Sequence, residues 1–198
     1  MQTKSLLTTA LLAATLALSA TAQAATWTID ANHSSVAFSI RHIFSKVPGS
    51  FDKFTGTVDY DPANPTAASV KVEIDPASIN TRTPKRDDHL RSADFFDVAQ
   101  FPAMSFVSTK VTKGEGNALA VDGNLTMHGV TKPVKLAVTF LGAGPSMGGQ
   151  RAGFEATTTI DRKEFGIVWN KAIDNGTLLG DDVAITIGIE AYVPGEKK

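Results

Sequence analysis

The sequence predicts an all-β domain of about eight antiparallel strands, interrupted once by a short helix. Three observations carry that reading. Apolar and polar residues alternate with period two in segment after segment, as they do in strands that bury one face. Turn-forming residues fall between those segments. One stretch, from Ile74 to Phe106, drops the alternation altogether.

In chain order, the first element is a leader and not part of the fold. Lys4 supplies one positive charge, Leu6 to Ala20 is uncharged and rich in Leu, Ala and Thr, and Ala22-Gln23-Ala24 offers a small-x-small cleavage site. Residues 1–24 therefore read as a secretory signal peptide cut after Ala24, which leaves one exported domain over residues 25–198. No cysteine follows the apolar run, so a lipoprotein anchor is excluded. No later stretch is long and apolar enough to cross a membrane as a helix, so an integral membrane protein of that kind is not expected.

The strands follow. Val36, Phe38, Ile40 and His42 share one face of the first, opposite Ser35, Ala37, Ser39 and Arg41. Phe54, Gly56, Val58 and Tyr60 mark the second, and Val70, Val72 and Ile74 the third, against Lys71, Glu73 and Asp75. Thr83-Pro84 before Lys85-Arg86-Asp87-Asp88 reads as an N-cap, a first-turn proline and a charged first turn. A short helix to about Ala93 follows, then the aromatic cluster Phe95, Phe96 and Phe101. Met104, Phe106 and Ser108 open a fourth strand. Leu119 to Met127, Val134 to Phe140, Ala152 to Ile160 and Val183 to Ile189 complete the set. Pro48-Gly49, Asp61-Pro62, Gly114 to Asn117, His128-Gly129 and Gly142 to Gly149 read as the breaks, with Thr131-Lys132-Pro133 marking a tight hairpin.

Eight strands in one domain leave a sandwich, a jelly roll or a closed barrel. A barrel of this size is packed solid or holds one small ligand. Lys71, Glu73 and Asp75 on one face of a single strand would be costly against lipid. The apolar faces therefore point inward, and an outer-membrane barrel is disfavoured. The formal net charge of −1 becomes −2 once Lys4 leaves with the leader, which is no footprint for nucleic acid. With no cysteine there is no disulfide framework, and a domain this long buries enough core to do without one.

Catalytic chemistry finds little support. No strained Gly-x-Ser-x-Gly elbow is present, and Asp87-Asp88 and Asp181-Asp182 read as solvated caps or turns. No catalytic residue and no metal ligand is assigned. The competing reading is a histidine-based metal-binding protein or metal-dependent enzyme. His33, His42, His89 and His128 lack any recognised local spacing, so such a site would have to be assembled from distant strands. The aromatic content says more. All eleven phenylalanines follow the leader, and five of them, Phe38, Phe54, Phe106, Phe140 and Phe154, fall on inward strand faces.

Several motifs, in order, resemble the YceI-like family. They are Trp27-Thr-Ile-Asp30 with His33-Ser34, Phe38-x-Ile40-x-His42, and Gly49-x-Phe51-x-x-Phe54-x-Gly56. They continue through Asp88-His-Leu-Arg91, Asp94-Phe-Phe-Asp97 and Phe101-Pro102. Gly123-x-Leu125-Thr-x-His-Gly129, Arg162-x-x-Phe165-Gly166 and Gly180-Asp-x-Val183 complete the set. The resemblance implies a lipocalin-like, eight-stranded antiparallel barrel in the periplasm. It also implies a binding or carrier protein rather than an enzyme, enclosing a polyisoprenoid such as an isoprenoid quinone or a polyprenyl phosphate. No cofactor is expected beyond that lipid, and a homodimer is compatible with the pattern although no interface is legible. On this reading Val36, Phe38, Ile40, Phe51, Phe54, Val58, Leu90, Phe95, Phe96, Phe101, Phe106, Phe140, Phe154 and Phe165 form the apolar interior. Arg41, His42, Arg86, His89, Arg91 and Arg162 are the candidates for a head group. The segment Thr83 to Phe101 becomes a helix and aromatic flap across one opening.

Overall fold

The computed structural model describes residues 25–195 apart from 147 and 175; the leader assigned to residues 1–24 lies outside the described residues. In chain order the elements are β1 (Ala25–Ile29), β2 (Ser35–His42), β3 (Ser45–Phe51), β4 (Phe54–Tyr60), β5 (Ser69–Ile74), β6 (Ile79–Asn80) and α1 (Pro84–Arg91). They continue with β7 (Met104–Lys113), β8 (Ala118–Met127), β9 (Val130–Ser146) and β10 (Gly149–Asp161). The last are β11 (Ala172–Ile173), β12 (Gly176–Thr177) and β13 (Leu179–Pro194).

Every pairing in the main sheet is antiparallel, and the order β1-β4-β5-β7-β8-β9-β10-β13 returns to β1, closing an eight-stranded barrel. Alternation sets which face turns in. Val70, Val72 and Ile74 of β5 are partly buried and pack on the core, whereas Lys71 and Glu73 are exposed. Trp27, Val58, Phe106, Val121 and Phe154, from five different strands, all bury in the one interior cluster. The apolar-in expectation holds.

The barrel is forked. One edge of β13 pairs with β1 only through Thr28↔Tyr192 and Ile29↔Ala191. The same edge then takes β2 from Gly188↔Ser35 to Leu179↔His42, and β3 and β6 continue outward from β2. β1 and β2 thus behave as one strand bent at a short 3-10 turn, Ala31–His33. At the bend the Ser34 hydroxyl donates to the Glu190 carbonyl and accepts the Glu190 N–H, at 3.2 and 3.0 Å, filling a missing strand partner.

Three expectations need correcting. Pro48-Gly49 is not a break but the middle of β3, opposite Ser39 and Phe38. Proline is tolerated there because β6 covers only Ser50 and Phe51, so the remainder of β3 is a free edge. β9 begins at Val130, so Thr131-Lys132-Pro133 is strand, while the tight hairpin expected between these two strands is present and turns at the expected break His128-Gly129, with φ of 52° and 73° as a type I′ turn requires. β9 also runs past Phe140 to Ser146, with a bulge where Gly153 faces Gly142 and Phe154 faces Phe140.

Aromatic rings are seated on glycines where the wall is thin. A Cβ on Gly123 of β8 would run into the Phe106 ring and the Val107 carbonyl, and one on Gly49 would meet the Phe38 ring. Both glycines belong to the motifs singled out above. Their role is close approach of a ring to the backbone.

Candidate functional site

The site is the inside of the barrel. An apolar cavity of ≈ 230 Å³ runs between side chains from nearly every barrel strand. Of the residues expected to form it, Val36, Phe38 and Ile40 of β2, Phe51 of β3, Val58 of β4, Phe95, Phe96, Phe106 and Phe154 line this space. Five do not. Phe54, Phe140 and Phe165 pack in or against the core around it, with Phe165 only 1 % exposed. Leu90 packs against the core from α1, and Phe101 sits on His128 with ring centroids 4.7 Å apart. The interior owes more to aliphatic side chains than to the phenylalanines. Val183, Ile185, Ile187 and Ile189 of β13 contribute a full row, and Val134, Leu136 and Val138 of β9 another. Their alternation is legible in the sequence.

Only Tyr60, Thr158 and Arg162 interrupt the apolar lining. Tyr60 stacks between Phe140 and Phe154, at 4.8 and 5.2 Å, and burial raises its phenol above the ordinary value. Arg162 is the one ionised lining side chain and is 3 % exposed. It follows β10 in a 3-10 turn, Arg162–Phe165, capped by the Asp161 carboxylate on Lys163 N–H and closed by Gly166 at φ 78°. Its Nε donates to the Gly180 carbonyl at 2.9 Å, and Nη1 donates to the carbonyls of Ile167 and Trp169 at 2.7 and 2.8 Å. Nη2 reaches Asp181 at 3.4 Å. Burial lowers the guanidinium below its ordinary pKa, and Asp181 and Asp161 oppose that shift. With four donor contacts made to the protein, Arg162 is a clamp that ties the loop after β10 to the start of β13.

Two further head-group candidates, Arg86 and Arg91, are engaged in the same way. Arg86 gives Nη2 to the Thr81 carbonyl at 2.7 Å and Nε to the Thr81 hydroxyl at 2.6 Å. The Asp87 carboxylate accepts the Thr81 N–H at 2.8 Å, so the first turn of α1 is bound to the end of β6. Arg91 donates to the carbonyls of Ala77 and Ile79 and pairs with Asp88. These charges hold the helix in place; α1 itself ends at Arg91, two residues before the expected Ala93. Arg41 is exposed, and His42 and His89 are half-buried. His89 lies between Phe95 and Trp169, 5.0 Å from each ring, and its Nε2 meets Asp94 at 2.7 Å.

The histidines do not converge. Among the described residues the one group of three candidate metal ligands is Asp30, His33 and Glu190. Its centre is taken by Arg151, whose Nη1 donates to Asp30 at 2.8 Å and to Glu190. The arrangement is an ion-pair cluster that staples the fork. Arg151 and His33 hold the Asp30 carboxyl down at about 2, from an ordinary 3.8. A carboxyl lowered on folding stabilises above its unfolded pKa and loses that contribution as pH falls. Acid titration of the denaturation midpoint should therefore fall more steeply between about pH 4 and pH 2 for the native chain than for Asp30→Asn. Parallel curves would mean that the cluster does not couple to folding.

The family model described as the YceI-like domain matches residues 27–191. Protein YceI of Salmonella arizonae is 46 % identical over 160 residues, covering 79 % of this chain and 83 % of the relative. The crystal structure of BcnA from Burkholderia cenocepacia superposes with a TM-score of 0.75 at 27 % identity, covering 82 % of this chain and 99 % of that one. A polyisoprenoid binding domain from Saccharophagus degradans, implicated in plant cell wall breakdown, shares the fold with a TM-score of 0.64 at 17 % identity, covering 85 % and 98 %.

Proposed function

The chain belongs to the YceI-like family, and from that membership and its apolar interior we propose that it binds one long, methyl-branched apolar chain of the polyisoprenoid class. The observation that carries the reading is the lining of the cavity. It offers a tail hydrocarbon and the thioethers of Met104 and Met127, apart from Tyr60, Thr158 and Arg162, whose guanidinium is held by backbone carbonyls. Such a space selects by length and width, because a featureless wall gives hydrogen-bonding groups no return for the water they lose.

Magnitudes favour a long tail. Burial yields roughly 25 cal/mol per Å², so hiding ~500 Å² gains about 12 kcal/mol. Association costs on the order of 4–15 kcal/mol. A short metabolite falls below that cost. The ≈ 230 Å³ cavity is just under the roughly 300–1,000 Å³ of small-molecule sites. On this proposal a chain of several isoprene units enters by shifting the partly buried rings of Phe38 and Phe96. The polar head then stays at the α1 end, near Arg41, His42 and His89.

The protein acts as a carrier with no catalytic step and no cofactor, in the periplasm, after removal of the leader over residues 1–24. Organic extraction and mass spectrometry of protein purified from its native host should release a long-chain isoprenoid in near-stoichiometric amount. A protein that is empty and that binds neither quinone nor polyprenyl analogues would overturn the reading.

A further inference from the structure

The hairpin joining β2 to β3 breaks three local rules at once. Its two-residue turn is Ile43-Phe44, and Ile43 has φ 51°. A β-branched residue is an outlier there, since a tight hairpin turn of this kind favours glycine. Phe44 is 90 % exposed, the most exposed of the large hydrophobic side chains. Arg41 and Lys46 are directly opposite each other in the register, a like-charge cross-strand pair that costs stability. Neither forms a salt bridge among the described residues, and the segment from Arg41 to Lys46 holds no carboxylate.

The strained turn is held in place from behind. Ile43 N–H donates to the Leu178 carbonyl at 2.9 Å, and Arg41 Nη1 donates to the Ile43 carbonyl at 3.1 Å and the Thr177 carbonyl at 3.4 Å. Those bonds tie the tip to the β11–β12 hairpin, so Phe44 is presented on a supported knuckle. Val168, 62 % exposed, lies in the loop at this same end of the barrel. The neighbouring loops carry Lys163 and Lys171 against Glu164, Asp174, Asp181 and Asp182, and Asp181 is already paired with Arg162 and Lys163. The concentration of unbalanced positive charge is therefore at the tip itself.

An exposed aromatic side chain at a supported tip, flanked by Lys46 and by Arg41, neither of which meets a carboxylate among the described residues, is complementary to an anionic lipid bilayer. Phe44 fits among the acyl chains beneath the head groups, and Arg41 and Lys46 meet the head-group phosphates. We infer that the β2–β3 tip docks the protein on an anionic membrane surface, with Phe44 inserted. β2 connects this contact to the interior, because Phe38 and Ile40 on the same strand line the cavity. Docking stands on the hairpin geometry alone; its use for taking up or delivering a tail rests on the function proposed above.

Co-sedimentation with vesicles tests it. The full chain should partition onto phosphatidylcholine vesicles containing about one-third phosphatidylglycerol and far less onto pure phosphatidylcholine. Phe44→Ser should weaken that partitioning about tenfold. Lys46→Glu should weaken it by a similar factor at low salt, and the difference should shrink at 0.5 M salt as the charges are screened. Because Phe44 is exposed, Phe44→Ser should keep the native denaturation midpoint, and Lys46→Glu, which turns the like-charge pair with Arg41 into an opposite-charge one, should keep or slightly raise it. Equal partitioning of the native chain and Phe44→Ser, or equal partitioning on charged and neutral vesicles, would overturn the inference.

A parallel measurement separates the two proposals. Retinol, a fluorescent isoprenoid alcohol, is offered once from detergent micelles and once from the anionic vesicles. Phe44→Ser should match the native chain from micelles and lag about tenfold from vesicles. Partitioning without any retinol binding would leave docking intact and remove the tail reading. Retinol binding with no Phe44-dependent partitioning would do the reverse.

Discussion

Replacing Arg162 with alanine is expected to lower the unfolding free energy by about 3–5 kcal/mol, as three backbone carbonyls lose their donor. The truncation strips hydrogen bonds from the carbonyls of Gly180, Ile167 and Trp169 in one step. A buried carbonyl left without a donor costs about 1–3 kcal/mol, and water reaches some of these sites once the side chain is gone. Arg162→Lys should recover little, because an ammonium cannot reproduce the planar fork that serves Nε and Nη1 contacts together. Urea denaturation of the three proteins is the check. A loss below about 1 kcal/mol for the alanine variant would show that the loop from Ile167 to Gly180 does not depend on the clamp.

Filling the interior should abolish binding while leaving the fold intact. Ala156 of β10 is buried, lines the cavity and lies between Phe154 and Thr158 on the inward row. A phenylalanine there enters open space, so the overpacking cost should stay near the low end of the usual 1–3 kcal/mol. A tail and the new ring would compete for the same volume. The affinity for a quinone or polyprenyl analogue is expected to fall at least about a hundredfold, with the unfolding free energy lowered by only about 1–2 kcal/mol. Unchanged affinity would put the ligand outside the barrel.

The parts of this architecture that repeat were visible in the chain, and the parts that depend on a single distant partner were not. Alternation located β2, β4, β5, β7, β8, β9, β10 and β13 and their inward faces, because a half-buried strand writes its period directly into the residues. The strand count matched the barrel for a partly different reason. β2 belongs to the fork, and the eighth member of the closed ring is β1. β1 was hidden because it is only five residues long and begins where the leader was expected to end. β3 was hidden by Pro48-Gly49, whose turn-like chemistry is harmless on a free edge.

Charge was harder still to interpret. Arg86, Arg91 and Arg162 have the composition of a head-group site, yet each is engaged by backbone carbonyls at Thr81, at Ala77 and Ile79, and at Gly180, Ile167 and Trp169. Which acceptor an arginine will find is a property of the assembled loops. Nothing in the local spacing reports it.

The fork also fixes when this interior comes into being. β13 is the last strand, Leu179–Pro194, and it pairs with β10, β2 and β1 at once. Its partners Thr28 and Ser35 precede it by most of the chain, so the contacts that shut the ring are among the most non-local available. Until those final residues arrive, the row Val183, Ile185, Ile187 and Ile189 is missing and the remaining strands form an open trough of exposed hydrocarbon. Closure is therefore expected to be a late, slow step of folding, and on the proposed function no tail can be held until it is complete.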